Sequence, residues 1–307
     1  MKKIYILFFL LMIVLMLLYP QICLGYSLTG LQLWFERMIP ALFPFMVLSG
    51  VIVRMNLTED IVSFFSPLLQ LIFHVKKSVL YGILMGFLCG FPMGAKVAVQ
   101  LYENKKITEQ EAEYLLCFCN NIGPIYFLSF VLPTLGIKKV GPYLIGMYGL
   151  PLAYGILLRY TLYRKKISSV QGYIPTKCKQ NEAYQVAVAP QKKDFLSSLD
   201  LSLKDSINSI VVLGGYMIIF NAFHLLPRIL LPVHALWSTP ILEITGGIGL
   251  LGSSHPRYIL CLLPFGGLCC MAQTYTIIST TPLKISKYVL HKLILMGITF
   301  FYYQLIL

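Results

Sequence analysis

Charge is scarce in this chain, and acid scarcest of all. Only 12% of the 307 residues are Asp, Glu, Lys or Arg, about half the share of a soluble domain. There are 12 acids against 25 bases, and beyond Asp205 the one acid is Glu243. So little charge cannot cover a water-facing surface of this size, which excludes a soluble enzyme, a disordered tail and a secreted disulfide scaffold. The eight cysteines form no CxxC pair, and no Cys/His, Asp/His or Glu/His set has metal-ligand spacing. GxSxG, HExxH, Walker and EF-hand patterns are missing too. The sequence therefore offers no catalytic residues and no metal set, and implies no cofactor.

What is present is apolar: 57% of the residues, with a mean hydropathy of +0.75. The fold class this predicts is an all-α polytopic membrane protein. A spanning helix needs about 20 apolar residues, so the chain has room for about 8–10 transmembrane or re-entrant helices and one polar loop. The formal charge of +13 would suit nucleic acid, but most bases sit in loops beside apolar runs, where Lys and Arg mark cytoplasmic faces. The surroundings implied are membrane lipid and a small-molecule anion, with a homo-oligomer left open and no nucleic acid.

Residues 1–25 read as a signal anchor, with a cleaved signal peptide ending near Gly25 as the alternative. Residues 26–163 form a first transmembrane half, 164–205 a basic loop predicted to be cytoplasmic, and 206–307 a second half. Apolar segments fall at about 38–53, 61–74, 79–101, 121–137, 142–163, 206–226, 229–252, 257–280 and 284–307. With the N-terminus inside, the loop returns to the cytoplasm only if 61–74 crosses; its Pro67 leaves a re-entrant path open. On that count Lys76, Lys77, Lys138 and Lys139 fall outside. Thr108 and Glu111 have capping-box spacing, so 108–119 is expected to be an interfacial amphipathic helix with solvated acids.

The densest signal is GILMGFLCGFPMGAK, 82–96. Gly82, Gly86, Gly90 and Gly94 recur every four residues and line one helix face, as close helix packing requires. Pro92 removes an amide donor and breaks the helix. Such a break in lipid is tolerated where the backbone is buried in protein or lines a wet cavity. The new helix start near Gly94 presents free amides and a positive dipole end, with Lys96 in its first turn. Lys96 then faces a cavity, or snorkels to the interface. Asn120 and Asn121, with Pro124 three residues on, interrupt the next span and would cap a helix or bind a ligand. In the second half 265–273 echoes 89–96, with Gln273 in place of Lys96, and Pro240 parallels Pro67. Paired broken segments in two halves point to a transporter site. Glu243 reads as a coupling or gating acid, or as an interfacial acid paired with Arg228 or Arg257.

GFPMGAK at 90–96, the following LYENKKITEQEAEYLL and NNIGP at 120–124 resemble the sporulation integral membrane proteins of the YlbJ/SpoVV type, which carry nucleoside-recognition or "gate" domains. The likeness covers about 30–163 closely and 206–307 more loosely, through LEITGG and FGGLCCMAQ. Cys269-Cys270-Met271 stands where that family would have Ser, an aliphatic residue and His, and the central loop is short. The resemblance implies two gate-like halves and transport of dipicolinic acid from the mother cell across the outer forespore membrane. The residues themselves imply a transporter of a small organic anion. Substrate-binding candidates are Gly90, Pro92, Gly94, Lys96, Asn120, Asn121, Pro124 and Gln273, with Glu243 for coupling. Nucleoside transport, a lipid-precursor enzyme and a spore-envelope assembly protein are the alternatives.

Overall fold

The computed structural model describes residues 2–167 and 194–306, with the backbone alone at 59 and 64–68. Residues 168–193 of the expected 164–205 loop lie outside the described residues, and its last part, from Phe195, is already helix. Helix α1 (Lys2–Leu18) kinks at Tyr19 into α2 (Pro20–Leu33), which runs through a π-helical turn into α3 (Ile39–Arg54). Position 25 is therefore inside a helix. Then come α4 (Thr58–Phe73), α5 (Lys77–Cys89), α6 (Met93–Glu103) and α7 (Glu109–Phe118). Helices α8 (Pro124–Tyr126) and α9 (Leu132–Thr134) join through a π turn, as do α10 (Gly141–Leu144) and α11 (Leu150–Tyr160). The second half comprises α12 (Phe195–Ala222), α13 (Leu225–Leu230), α14 (Ala235–Leu242), α15 (Ile244–Leu251), α16 (Pro256–Leu262), α17 (Gly267–Ile278) and α18 (Ile285–Ile306). Among the described residues, five helical runs are long and apolar enough to cross a membrane: Pro20–Arg54, Gly141–Tyr160, Phe195–Leu230, Pro256–Ile278 and Ile285–Ile306. The chain is an all-α polytopic membrane protein.

Side-chain contacts sort the helix ends onto two faces. On the basic face Arg54 pairs with Asp205, Lys76 with Glu111 (2.8 Å) and Lys287 with Glu113 (2.7 Å). There too Arg159 donates to the carbonyls of Phe73 (3.1 Å) and His74 (3.0 Å). On the opposite face Tyr302 donates to the Pro142 carbonyl (2.8 Å), and the end of α15 packs on Thr134 and Leu135.

Helix α4 has both ends on the basic face, because Thr58 accepts from Lys106 (3.4 Å) and the Phe73 carbonyl from Arg159. Segment 61–74 therefore lies along that face and does not cross. Nor does 79–101 cross. Its helices α5 and α6 pack side by side as a re-entrant hairpin, and Gly86 and Gly94, on either side of the tip, both face Cys119. A Cβ at either position would lie 2.7–2.8 Å from the Cys119 carbonyl oxygen, so only glycine admits this approach. The expected crossing count includes both segments, with a re-entrant path left open for 61–74; without either the parity is unchanged and the polar loop still returns to the same face. Lys76 and Lys77 move to that face with it.

The expected capping box is present at Thr108 and Glu111, but α7 is no surface helix. Glu111 is buried on Lys76, and α7 leads inward to a break at 119–123 that α8 and α9 continue to the opposite face. The first series is thus a crossing helix (α3), a surface helix (α4), a hairpin (α5–α6), a broken crossing (α7–α9) and a crossing (α10–α11). Helices α12, α13, α14–α15, α16–α17 and α18 repeat that order upside down. The α14–α15 hairpin is rooted on the opposite face, and α16–α17 runs back to the basic one.

This symmetry corrects the sequence pairing. The counterpart of the tip at 90–92 is the tip at Glu243, and the counterpart of 120–124 is the α16–α17 break at 263–266. The match of 265–273 with 89–96 joined a helix break to a hairpin tip. The apolar core divides accordingly. One buried cluster holds Leu80, Tyr81, Leu101 and Phe118 in the basic half, and another holds Phe127, Ile248, Leu251 and Ile259 in the other half. The four interruptions lie between them.

Candidate functional site

All four interruptions meet around one inner cavity of about 40 Å³. Phe91 comes from the first hairpin tip, Ile122 and Gly123 from the α7–α8 break, Glu243 and Thr245 from the second tip, and Leu263 from the α16–α17 break. Gln273, Cys270, Tyr126 and Met217 complete much of the wall. Glycine allows the convergence. Gly90, at φ +81° and ψ −175°, adopts a conformation open essentially to glycine alone, and its Cα presses on the Gly123 backbone. Gly267 likewise approaches the carbonyls of Pro240 and Ile241, where a Cβ would stand 3.1–3.2 Å away.

Glu243 is buried at the second tip, 2% exposed. Its carboxylate caps α15, accepting from the amides of Thr245 (2.9 Å) and Gly246 (2.7 Å), and Asn221 donates to it at 3.4 Å. A carboxylate at a helix start is stabilised by the free amides and the dipole together. The acid thus sits in the protein interior rather than at an interface.

A larger cavity of about 320 Å³ lies on the basic side of the first tip. It is lined by Pro92, Lys96, Gln100 and Glu103 of the first hairpin, Asn208, Ser209 and Tyr216 of α12, and Gln273 and Thr276 of α17. Its size falls at the low end for small-molecule sites. Lys96 donates to Ser209 Oγ (2.5 Å) and the Asp205 carbonyl (3.4 Å), both neutral oxygens. Gln273 lines both cavities, so it stands on the wall between this vestibule and the inner cavity.

The structure brings Pro92, Lys96 and Gln273 together on the vestibule and sets Gln273 and Glu243 on the inner cavity. It keeps Gly90, Gly94, Asn120, Asn121 and Pro124 in the packing behind both. The α6 amides expected to hold an anion are occupied. Met93 and Gly94 donate to the Gly90 carbonyl (2.8 and 3.2 Å), and Ala95 donates to Asn120 Oδ1 (3.3 Å). Asn120 is thus a cap, but for a helix other than its own. Its amide nitrogen also donates to Tyr288 (2.9 Å) and Thr274 (3.2 Å), tying the two series together.

Sequence reasoning passed over Lys292. It is fully buried in α18, donates to the Asn120 carbonyl and to Asn121 Oδ1 (2.9 Å), and lies 4.8 Å from the Phe91 ring centre. The available signal was a lysine seven residues into an apolar helix.

No family model matches the chain, and no solved structure matches it. A curated relative, the sporulation integral membrane protein YlbJ of Bacillus subtilis (strain 168), is 26% identical over 226 residues. That alignment takes in 71% of this chain and 54% of the relative, so the chain spans about half the length of the curated relative it matches. This similarity bears out the resemblance to YlbJ-type sporulation integral membrane proteins drawn from 90–96 and 120–124.

Proposed function

We propose that the chain is a secondary transporter or facilitator of a small organic anion, dipicolinic acid, working in sporulation at the outer forespore membrane. The observation that carries the reading is the pair of inverted series whose hairpin tips and helix breaks close on one cavity. Discontinuous helices at the interface of inverted repeats are where secondary transporters bind substrate. The vestibule adds the anion preference. The Lys96 ammonium hydrogen-bonds two neutral oxygens, Ser209 Oγ and the Asp205 carbonyl, while the nearby Asp205 carboxylate is engaged by Arg54. The substrate class and the sporulation setting draw on the resemblance to YlbJ.

The basic face is the cytoplasmic one under the positive-inside rule. The anion enters the vestibule from there and rests against Lys96. The inner cavity, at about 40 Å³, has room for no more than a few waters, so passage of an organic anion requires a tip to move. Phe91 lines the inner cavity and Pro92 the vestibule, so the first tip is the gate between them. The second tip, capped by Glu243, gates the other side. Each hairpin is rooted on the face it opens to, which is the geometry alternating access needs. No covalent chemistry is involved.

The test is dipicolinate content in spores of a deletion strain, followed by uptake into proteoliposomes with competing nucleosides. Low spore content and uptake insensitive to nucleosides are expected. Normal spore content sinks the reading, and competition by nucleosides redirects it to nucleoside transport.

A further inference from the structure

Burying an ammonium without a carboxylate is costly, yet the ion pairs found among the described residues do not include Lys292. What surrounds its Nζ is a set of neutral oxygens and ring faces. The Asn120 carbonyl and Asn121 Oδ1 accept from it, and the rings of Phe91 and Tyr288 lie 4.8 and 5.6 Å away. The two oxygens belong to the break at the C-terminal end of α7, where the helix dipole is negative. Asn121 is itself oriented: its amide nitrogen donates to the Phe118 carbonyl (2.6 Å), which turns Oδ1 toward the lysine.

A backbone carbonyl, a side-chain amide oxygen and a half-helix C-terminus form the ligand set with which broken helices of transporters hold a coupling cation. In this chain the position is filled from within. We propose that Lys292 is a tethered cation, occupying the place an exchangeable sodium ion would take at the α7 break. Its charge holds Asn120 and Asn121, and through Phe91 the first tip, without drawing on any ion from solution. The inference rests on the broken-helix architecture behind the transport reading. Its test uses substrate-free protein, so its failure is separable from a failure of the proposed substrate.

The experiment is thermal unfolding of the purified full chain in sodium, lithium, potassium and choline chloride at equal ionic strength. The wild type should melt at one temperature in all four. Lys292→Ser vacates the position and should melt lower in choline, with sodium or lithium saturably restoring at least half of the loss. Lys292→Met fills the space without charge and should show no such rescue. Sodium-specific stabilisation of the wild type would overturn the proposal, as would a folded Lys292→Ser protein indifferent to the salt. Should Lys292→Ser fold in none of the four, Asn121→Ala decides. It should lower the melting temperature equally in sodium and choline, and a sodium-specific change there overturns the proposal.

Discussion

Phe91, at the tip of the α5–α6 hairpin, lies against Gly266 at the α16–α17 break, so closely that a Cβ on Gly266 would stand 3.0 Å from Phe91 Cζ. The hairpin of one series thus rests on the broken helix of the other. Gly266 also has φ +76°, where a side chain costs about 1–2 kcal/mol. Gly266→Ala should therefore destabilise the purified protein by about that much, with a further part from the contact. Phe91→Leu should relieve that further part, so the double variant should be more stable than the two single losses added together. A strictly additive result would show that the tip does not bear on the break.

Glu243 satisfies two amides of the first turn of α15 and takes a third hydrogen bond from Asn221. Glu243→Gln keeps one acceptor oxygen but points amide hydrogens at donors, so a loss of about 0.5–2 kcal/mol is expected, as for other N-cap changes. Among the described residues it is the one carboxylic acid on the inner cavity, a group that can take up and release a proton there. Uptake by Glu243→Gln should have a pH dependence different from that of the wild type. An unchanged pH profile would leave Glu243 a cap alone.

The sequence marks where the helices break more clearly than where they go. Gly90 and Pro92 announce an interruption by their own backbone chemistry, and the structure has one there. Whether the chain then continues across or turns back depends on Gly86 and Gly94 both meeting Cys119, a distant segment that local pattern does not reveal. Thr108 and Glu111 form a capping box by spacing alone, but the depth of Glu111 is decided by Lys76, 35 positions before it. Lys292 looks like any lysine in an apolar helix until Asn120 and Asn121 are seen beside it. Each miss has the same physical root: a polar side chain in an apolar run is ambiguous until its tertiary partner is known.

The two faces make a topology prediction. Lys105 and Lys139 are exposed in loops on opposite faces, the first beside α6 and the second before α10. In a background freed of native cysteines, Lys139→Cys should react with a membrane-impermeant thiol reagent in intact cells. Lys105→Cys should react only after permeabilisation. The reverse pattern would invert the assignment of the cytoplasmic face, and labelling of both in intact cells would remove α7–α9 as a crossing.

The sharpest prediction separates a binding residue from a scaffold residue that neighbours it in sequence logic. Lys96 lines the vestibule with Ser209 and the Asp205 carbonyl as its hydrogen-bond partners. A hydrogen bond to a charged group contributes about 1.5–3 kcal/mol, and about 1.4 kcal/mol is tenfold in affinity. Lys96→Gln should therefore weaken apparent affinity for dipicolinate by about tenfold or more, with little change in melting temperature. Lys96→Arg should be partly tolerated, because a planar fork replaces a compact ammonium. Asn120→Ala should behave the other way round. It strips the Ala95 amide of its acceptor and removes the donor to Tyr288 and Thr274, and each buried group left unpaired costs about 1–3 kcal/mol. The melting temperature should fall while the protein that remains folded transports with unchanged concentration dependence. If Lys96→Gln instead transports with wild-type concentration dependence, the vestibule lysine does not meet the substrate, and the anion must be recognised deeper, at Gln273 and the inner cavity.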